Sequence, residues 1–324
     1  MASIIRMERT DMNITITGNL GSGKTSVCKE LKQSGFTIIS AGDIFREIAA
    51  EKGMTVIELN EAAKSDRSID DLLDNRSTEL GKKMDHAVFD SRLAWHFVEN
   101  SFKVFLLVDT QEAARRVYEG DNRSAETYQN MDEARVGLEA RAKLEQARFQ
   151  ELYSLDYYDA ANYDLIIESS CATPKQIAQE IIRNFELYQK QPFSTKTELN
   201  LKCLYPTKRF DHIDIHKLRE WESLCQDSVS ESLCIGDPLE IVVKDGYNYL
   251  LNGHHAVFSA LAAGKIFAQI IGLRMEETDQ ALEVPLPQSD MDAYEQAGKF
   301  HYQVNPLQMP KKAWYTVDFS KVLS

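Results

Sequence analysis

The chain has 324 residues, 43% hydrophobic and 27% charged, the balance of a soluble globular protein long enough for two cores. A net charge of −13 supplies no overall basic field for nucleic-acid phosphates, so a polynucleotide partner would need a local basic patch. Cys28, Cys171, Cys203, Cys225 and Cys234 stand far apart with no C-x-x-C pair, which argues against a zinc cluster or a disulfide framework and fits a reducing cytoplasm.

Residues 1–12 mix Arg6, Glu8, Arg9 and Asp11 with short apolar stretches, and read as a loose leader rather than a signal peptide or membrane anchor. The β-rich run Asn13–Thr17 runs directly into Gly18-Asn19-Leu20-Gly21-Ser22-Gly23-Lys24-Thr25, which fits the phosphate-loop pattern G-x-x-x-x-G-K-[ST]. Gly18, Gly21 and Gly23 let successive backbone N–H groups turn inward around a triphosphate, with Ser22 among the nucleotide-binding residues. The helix expected from Lys24 adds its positive N-terminal end. The pattern assigns Lys24 to the β and γ phosphates and Thr25 to Mg²⁺, and it makes the protein a nucleotide user.

Beyond the loop, apolar runs at Phe36–Ile39, Ala87–Asp90, Val104–Val108 and Tyr163–Ile167 alternate with helix-forming stretches. That order predicts right-handed βαβ crossovers and an α/β fold, a parallel five-stranded sheet covered by helices on both faces. A helix over Pro174–Tyr188, with Ile177, Ile181, Ile182, Phe185 and Leu187, precedes a polar stretch containing Pro192. The expected division is a nucleotide domain over 12–190, a linker over 191–201, a smaller α+β domain over 202–284 and an irregular extension over 285–324. Within the second domain, Asp214–Trp221 reads as a helix. Leu239–Val243 and Tyr247–Leu251 read as a hairpin around Lys244-Asp245-Gly246, with a helix over Gly253–Ala263.

A phosphate loop alone allows a GTPase, a transporter ATPase or a small-molecule kinase, and the arginines discriminate. Phosphoryl transfer needs positive groups spread over the moving phosphate, and planar guanidinium forks suit it. Arg46 starts a helix after the second strand, Arg92 follows the strand ending in Asp90, and Arg141, Glu145 and Arg148 share one helix face by their spacing. Taken singly, each arginine also fits a surface ion pair.

Ser40-Ala41-Gly42-Asp43-Ile44-Phe45-Arg46, Asp90-Ser91-Arg92-Leu93-Ala94-Trp95 and the run Arg141–Phe149 resemble cytidylate kinases, particularly the compact archaeal and bacterial type, in the right order from Asn13 to Tyr188. The resemblance implies ATP-dependent transfer of a phosphoryl group to CMP or dCMP. Ser40, Asp43 and Arg46 would then serve the monophosphate, with Arg92 opposite, and Asp90 would orient Mg²⁺ or its waters, unless it caps a helix. Residues 121–130 look like a closing lid carrying Arg123. Arg141 and Arg148 would reach the phosphates, with Glu145 fixing them or reading sugar or base. Leu93 departs from the aspartate of the common bacterial enzymes.

Residues 202–273 resemble the ParB N-terminal and sulfiredoxin-like fold, in which a hairpin leads into a helix carrying a G-H-H-R motif. Here Gly253-His254-His255 offers a helix N-terminal anion site, but Ala256 replaces the arginine, which points to binding rather than turnover, and the histidines also fit structural caps. Asp211, His212 and His216 lack companion ligands for a metal. Small nucleotides are the expected partners in a cytoplasmic protein. Nucleic acid is disfavoured by charge, though left open by the ParB-like domain, and a protein partner is compatible with it. The competing functions are a nucleotide-gated interaction protein and a kinase of another small acceptor.

Overall fold

The computed structural model describes residues 12–63, 65–120, 128–170, 172–208, 240–244 and 247–269, with 214, 216–217, 219–220 and 223 between them. Its elements alternate as the sequence pattern requires. β1 (Asn13–Gly18) leads through the phosphate loop into α1 (Lys24–Gln33), then β2 (Thr37–Ser40), α2 (Ala41–Glu51), α3 (Val56–Ala62), α4 (Arg67–Lys83) and β3 (Ala87–Asp90). There follow α5 (Ala94–Phe97), β4 (Ser101–Leu107), α6 (Thr110–Glu119), α7 (Met131–Tyr153), β5 (Leu165–Glu168) and α8 (Pro174–Lys190).

Local chemistry sets several helix starts. Ser40 caps α2, Asp109 caps α6 through the N–H groups of Gln111 and Glu112, and Thr55–Glu58 and Thr173–Gln176 form capping boxes for α3 and α8. Pro174 sits in the first turn of α8, where its missing N–H costs nothing.

The central strands run in the order β2-β3-β1-β4-β5, all parallel. Successive residues of β4 serve opposite faces. Val104 and Leu106 join Ile14, Ile16, Val27, Leu31, Ile177, Ile181 and Phe185 under α1 and α8. Phe105 and Leu107 pack instead with Trp95, Tyr157, Tyr158 and Tyr163. A sheet covered on both faces explains why its strands are nearly continuous apolar runs.

The sheet does not end at five strands. β6 (Lys196–Asn200) pairs in parallel with β5, and β10 (Phe267–Gln269) pairs antiparallel with β6, giving seven strands, six of them parallel. The stretch expected as linker thus holds a strand that is buried throughout. It escaped the pattern reading because its Lys-Thr-Glu-Leu-Asn sequence carries charges where a buried strand ordinarily carries Val or Ile. The fold pairs those charges: the Lys196 ammonium donates to Asn184 Oδ1 and Glu198 Oε1, both at 2.9 Å. Arg183 bridges Glu198, at 3.4 Å, and Glu180. Two cations face two carboxylates, the condition for burying ions without an isolated charge.

Between β6 and β10 lie β7 (Leu204–Pro206), β8 (Glu240–Lys244), β9 (Tyr247–Asn252) and α9 (His254–Ala262). β8 and β9 form the expected hairpin, with β7 parallel to β9 on the other side. α9 buries Val257, Phe258 and Ala260. Residues 1–11 of the expected leader, the extension over 285–324 and residues 215, 218 and 221 of the helix expected at 214–221 lie outside the described residues, while 216–217 and 219–220 are helical. Among the described residues no helix is long and apolar enough to cross a membrane.

Candidate active site

The loop Gly18–Thr25 occupies the carboxyl end of β1, in the middle of the sheet. It is pinned from below: Asn19 N–H donates to Leu106 O at 3.2 Å, Asn19 Oδ1 accepts from Val108 N–H at 3.3 Å, and Ser22 N–H donates to Asn19 O at 3.2 Å. Two of its glycines are dictated by space. A Cβ on Gly18 would stand 2.4 Å from Leu106 O, and one on Gly21 (φ 76°) 2.9 Å from Ala113 O. Gly23, at φ 83°, begins α1 with no side-chain cap and no acidic residue in the first turn, so the helix N-terminus stays available to an anion. The Ser22 hydroxyl is buried.

Burial and the positive Arg92 push Lys24 down to about 7, against the opposing pull of Asp90 and Glu145. A phosphate chain placed there restores its charge, because a nearby anion favours the protonated amine. Thr25 is exposed on the first turn of α1, and Asp90 ends β3 one strand away, in register with Ser40 and Ile16. α5 starts after Leu93 with no side-chain cap, so Asp90 is not its capping residue. Hydroxyl and carboxylate oxygens suit a hard cation completed by water and phosphate oxygens. Among the described residues no cluster of three or more His, Cys, Asp or Glu forms a protein-only metal cage.

The four described arginines of the expected site, Arg46, Arg92, Arg141 and Arg148, are all ion-paired. Arg92, largely buried, donates through Nε to Glu145 Oε2 at 2.9 Å and through Nη1 to Gly18 O at 3.1 Å, which ties α7 to the phosphate loop. Arg141 Nε donates to the other oxygen of Glu145 at 3.0 Å. Burial works against a charge on Glu145, but Arg92 and then Arg141 more than offset it and hold its carboxyl below the ordinary range. The Thr17 hydroxyl donates to Ser91 O at 3.1 Å and so fixes the turn that aims Arg92. Arg148 does not join this group: its Nη2 is shared between both oxygens of Asp70 on α4, at 2.8 Å each.

At the start of α2, Ser40 Oγ accepts from Asp43 N–H at 3.0 Å and donates to Asp43 Oδ2 at 2.6 Å. Arg46 meets Asp43 Oδ1 at 2.5 Å. Hydrogen bonds from Ser40 and then Arg46 hold the Asp43 carboxyl below its usual range. Asp43 and Arg46 remain more than half exposed, open to a ligand.

Arg123 lies outside the described residues. Sequence reasoning passed over Asp70, which looked like one charge in an acidic helix, and Arg116 on α6, which touches the loop's own backbone at Ser22 O, 3.3 Å away. At the start of α9, His254 is buried and its Nε2 accepts from the N–H groups of Thr207 and Lys208 at 3.1 and 3.2 Å, while burial pushes it down to about 4. His255 Nε2 accepts from Asp214 N–H at 3.1 Å. In both histidines the engaged Nε2 accepts from backbone N–H groups, the kind of contact that the structural-cap reading expects. Gly253, at φ 93°, starts α9 in the left-handed conformation.

A model of the cytidylate kinase-like family matches residues 13–171, which span the phosphate loop and Arg46, Arg92, Arg116, Arg141 and Arg148. The cytidylate kinase of Methanocella arvoryzae is 35% identical over 180 residues, 55% of this chain and 99% of its own. The chain belongs to the cytidylate kinase-like family. The cytidylate kinase of Methanobrevibacter smithii is 30% identical over 177 residues, 54% of this chain and 99% of its own. Among solved structures, a shikimate kinase from Bacteroides thetaiotaomicron aligns over 55% of this chain and 98% of its own, at 20% identity and a TM-score of 0.38. The protein is accordingly a P-loop nucleoside monophosphate kinase that uses ATP, and β6 to β10 lie beyond the family match.

Proposed function

We propose that the protein transfers the γ-phosphoryl group of ATP to CMP or dCMP. The observation that carries this reading is the Arg92–Glu145–Arg141 bridge anchored on Gly18 O, because it holds two guanidinium groups beside the mouth of the phosphate loop. A protein that only bound ATP would have little need of them. Both cytidylate kinases named above support the choice of acceptor.

In this reading the backbone of residues 18–25 and Lys24 hold the β and γ phosphates, and Arg46 binds the acceptor's phosphate from α2. Arg92 and Arg141 spread positive charge over the group in transit, and Arg148 joins them by exchanging Asp70 for phosphate. Thr25 and Asp90 would hold Mg²⁺, which when bound neutralises charge on the phosphate oxygens. Glu145 keeps the two arginines apart and aimed, so little reorganisation is needed as the phosphoryl group moves. The second unit, expected over 202–284, is an accessory module that binds a nucleotide or a protein partner without turnover, and the whole acts in the cytoplasm.

The test is ADP release from ATP and Mg²⁺ with CMP, dCMP, UMP, AMP, GMP or no acceptor. Turnover confined to CMP and dCMP supports the reading. Equal turnover without an acceptor, or a preference for another monophosphate, overturns the assignment of the acceptor.

A further inference from the structure

α6 leans on the outer wall of the phosphate loop. Leu20 packs with Ala113 and Ala114, and Gly21 approaches Ala113 so closely that a Cβ would stand 2.9 Å from Ala113 Cβ. One turn later comes Arg116, three-quarters buried, whose guanidinium spans three main-chain carbonyls. Nη1 donates to Ser22 O at 3.3 Å, and Nη2 donates to Ser169 O at 2.8 Å and Ser170 O at 3.0 Å. Its Nε is fixed by Glu112 Oε1 at 2.7 Å, and Glu112 is itself held by Arg115 at 2.8 Å. The loop after β5 is fastened a second time, by Asp109 N–H donating to Ser170 Oγ at 2.9 Å and the Ser169 hydroxyl donating to Leu107 O at 2.9 Å.

We propose that Arg116 is a positioning residue for the phosphates of the donor nucleotide, acting through the Ser22–Gly23 peptide. A peptide group is planar, so holding the Ser22 carbonyl outward holds the Gly23 N–H in the opposite direction, toward the cradle. Gly23 has no side chain and sits at φ 83°, so nothing on the residue itself resists a flip of that peptide. The guanidinium supplies the restraint, and its planar fork reaches Ser22, Ser169 and Ser170 together, which a lysine ammonium on a flexible stem does not. The loop after β5 is thereby locked to the phosphate loop through one side chain. This rests on the reading of residues 18–25 as the ATP site.

The experiment compares the parent protein with Arg116→Lys, which keeps the charge, by calorimetric titration with ATP and with inorganic tripolyphosphate, and by steady-state kinetics. The expected result is that both ligands weaken by the same factor, about tenfold, as for loss of one charge-assisted hydrogen bond. KM for ATP rises with it while kcat holds, because the loop binds ground and transition states alike. Unchanged affinity for both ligands overturns the proposal. So does a loss for ATP with tripolyphosphate unaffected, which would place Arg116 on the base instead. A fall in kcat at unchanged KM would mean lost folded enzyme and also overturns it. Failure of the parent protein to bind either ligand would overturn the reading of the ATP site itself, a result distinct from the others.

Discussion

The phosphate loop and the proposed acceptor residues are built from different materials. On the donor side, the loop Gly18–Thr25 is shaped by its own backbone, by hydrogen bonds to Leu106 and Val108, and by glycines whose Cβ atoms would collide with β4 and α6. On the side proposed for the acceptor, Ser40, Asp43 and Arg46 hold one another at the surface, and Arg148 is held by Asp70. Backbone fixed by close packing is already in its binding geometry. In the proposed reading, paired side chains exchange a carboxylate for a phosphate, which places the cheap conformational change on the acceptor side.

Several perturbations sharpen or break this contrast. The largest effect is expected for Lys24→Ala, which leaves the fold intact and lowers turnover roughly 10²–10³-fold, as for other single electrostatic donors; turnover within threefold of the parent would remove Lys24 from the mechanism. Next is Arg92→Ala, which leaves Glu145 half-paired in a largely buried position and strips a donor from Gly18 O. It should cost about 2–4 kcal/mol of stability in a urea titration as well as most activity. Arg46→Ala should behave in the opposite way. Its exposed pair with Asp43 contributes at most about 1 kcal/mol to stability, whereas kcat/KM for a monophosphate should lose about 2–3 kcal/mol of transition-state stabilisation. An alcohol acceptor would be indifferent to that change, so the pair of measurements also tests the acceptor class.

A pH effect follows from Lys24. Its amine is pushed down to about 7 in the free protein and must be charged to hold phosphate, so ATP binding should take up a proton above that pH and weaken by up to about tenfold per unit. Calorimetry at pH 8 in two buffers of different ionisation enthalpy measures the uptake. The same depressed value means that the free protein gains stability as pH rises from about 7 toward 10.5, since the unfolded chain there keeps a proton the folded one has released. The smallest effect is expected for Asp70→Asn: at most about 1 kcal/mol in stability, with tighter acceptor binding because Arg148 no longer has a carboxylate to leave.

Much of the nucleotide half was legible from sequence, because its signals are local. The phosphate loop is a contiguous motif, and the other four central strands, β2 to β5, are apolar runs. The hairpin of β8 and β9 was equally plain, within one residue at each end. β6 was not legible, since its strand character depends on Arg183, Asn184 and Glu180 of another element neutralising Lys196 and Glu198. Nor was the partner of Arg148: spacing put it beside Glu145 on one helix face, while the fold brings Asp70 against it from 78 residues away.

Sequence alone determined the class of chemistry, because a cradle for phosphates needs a fixed order of small and basic residues along a few bonds of backbone. Only the tertiary structure decided which carboxylate holds which arginine, that Arg116 grips the phosphate loop from outside, and that the sheet extends to seven strands. Those outcomes depend on residues far apart in the chain meeting at distances of about 3 Å, where charge and burial are set jointly by several elements and by no single segment.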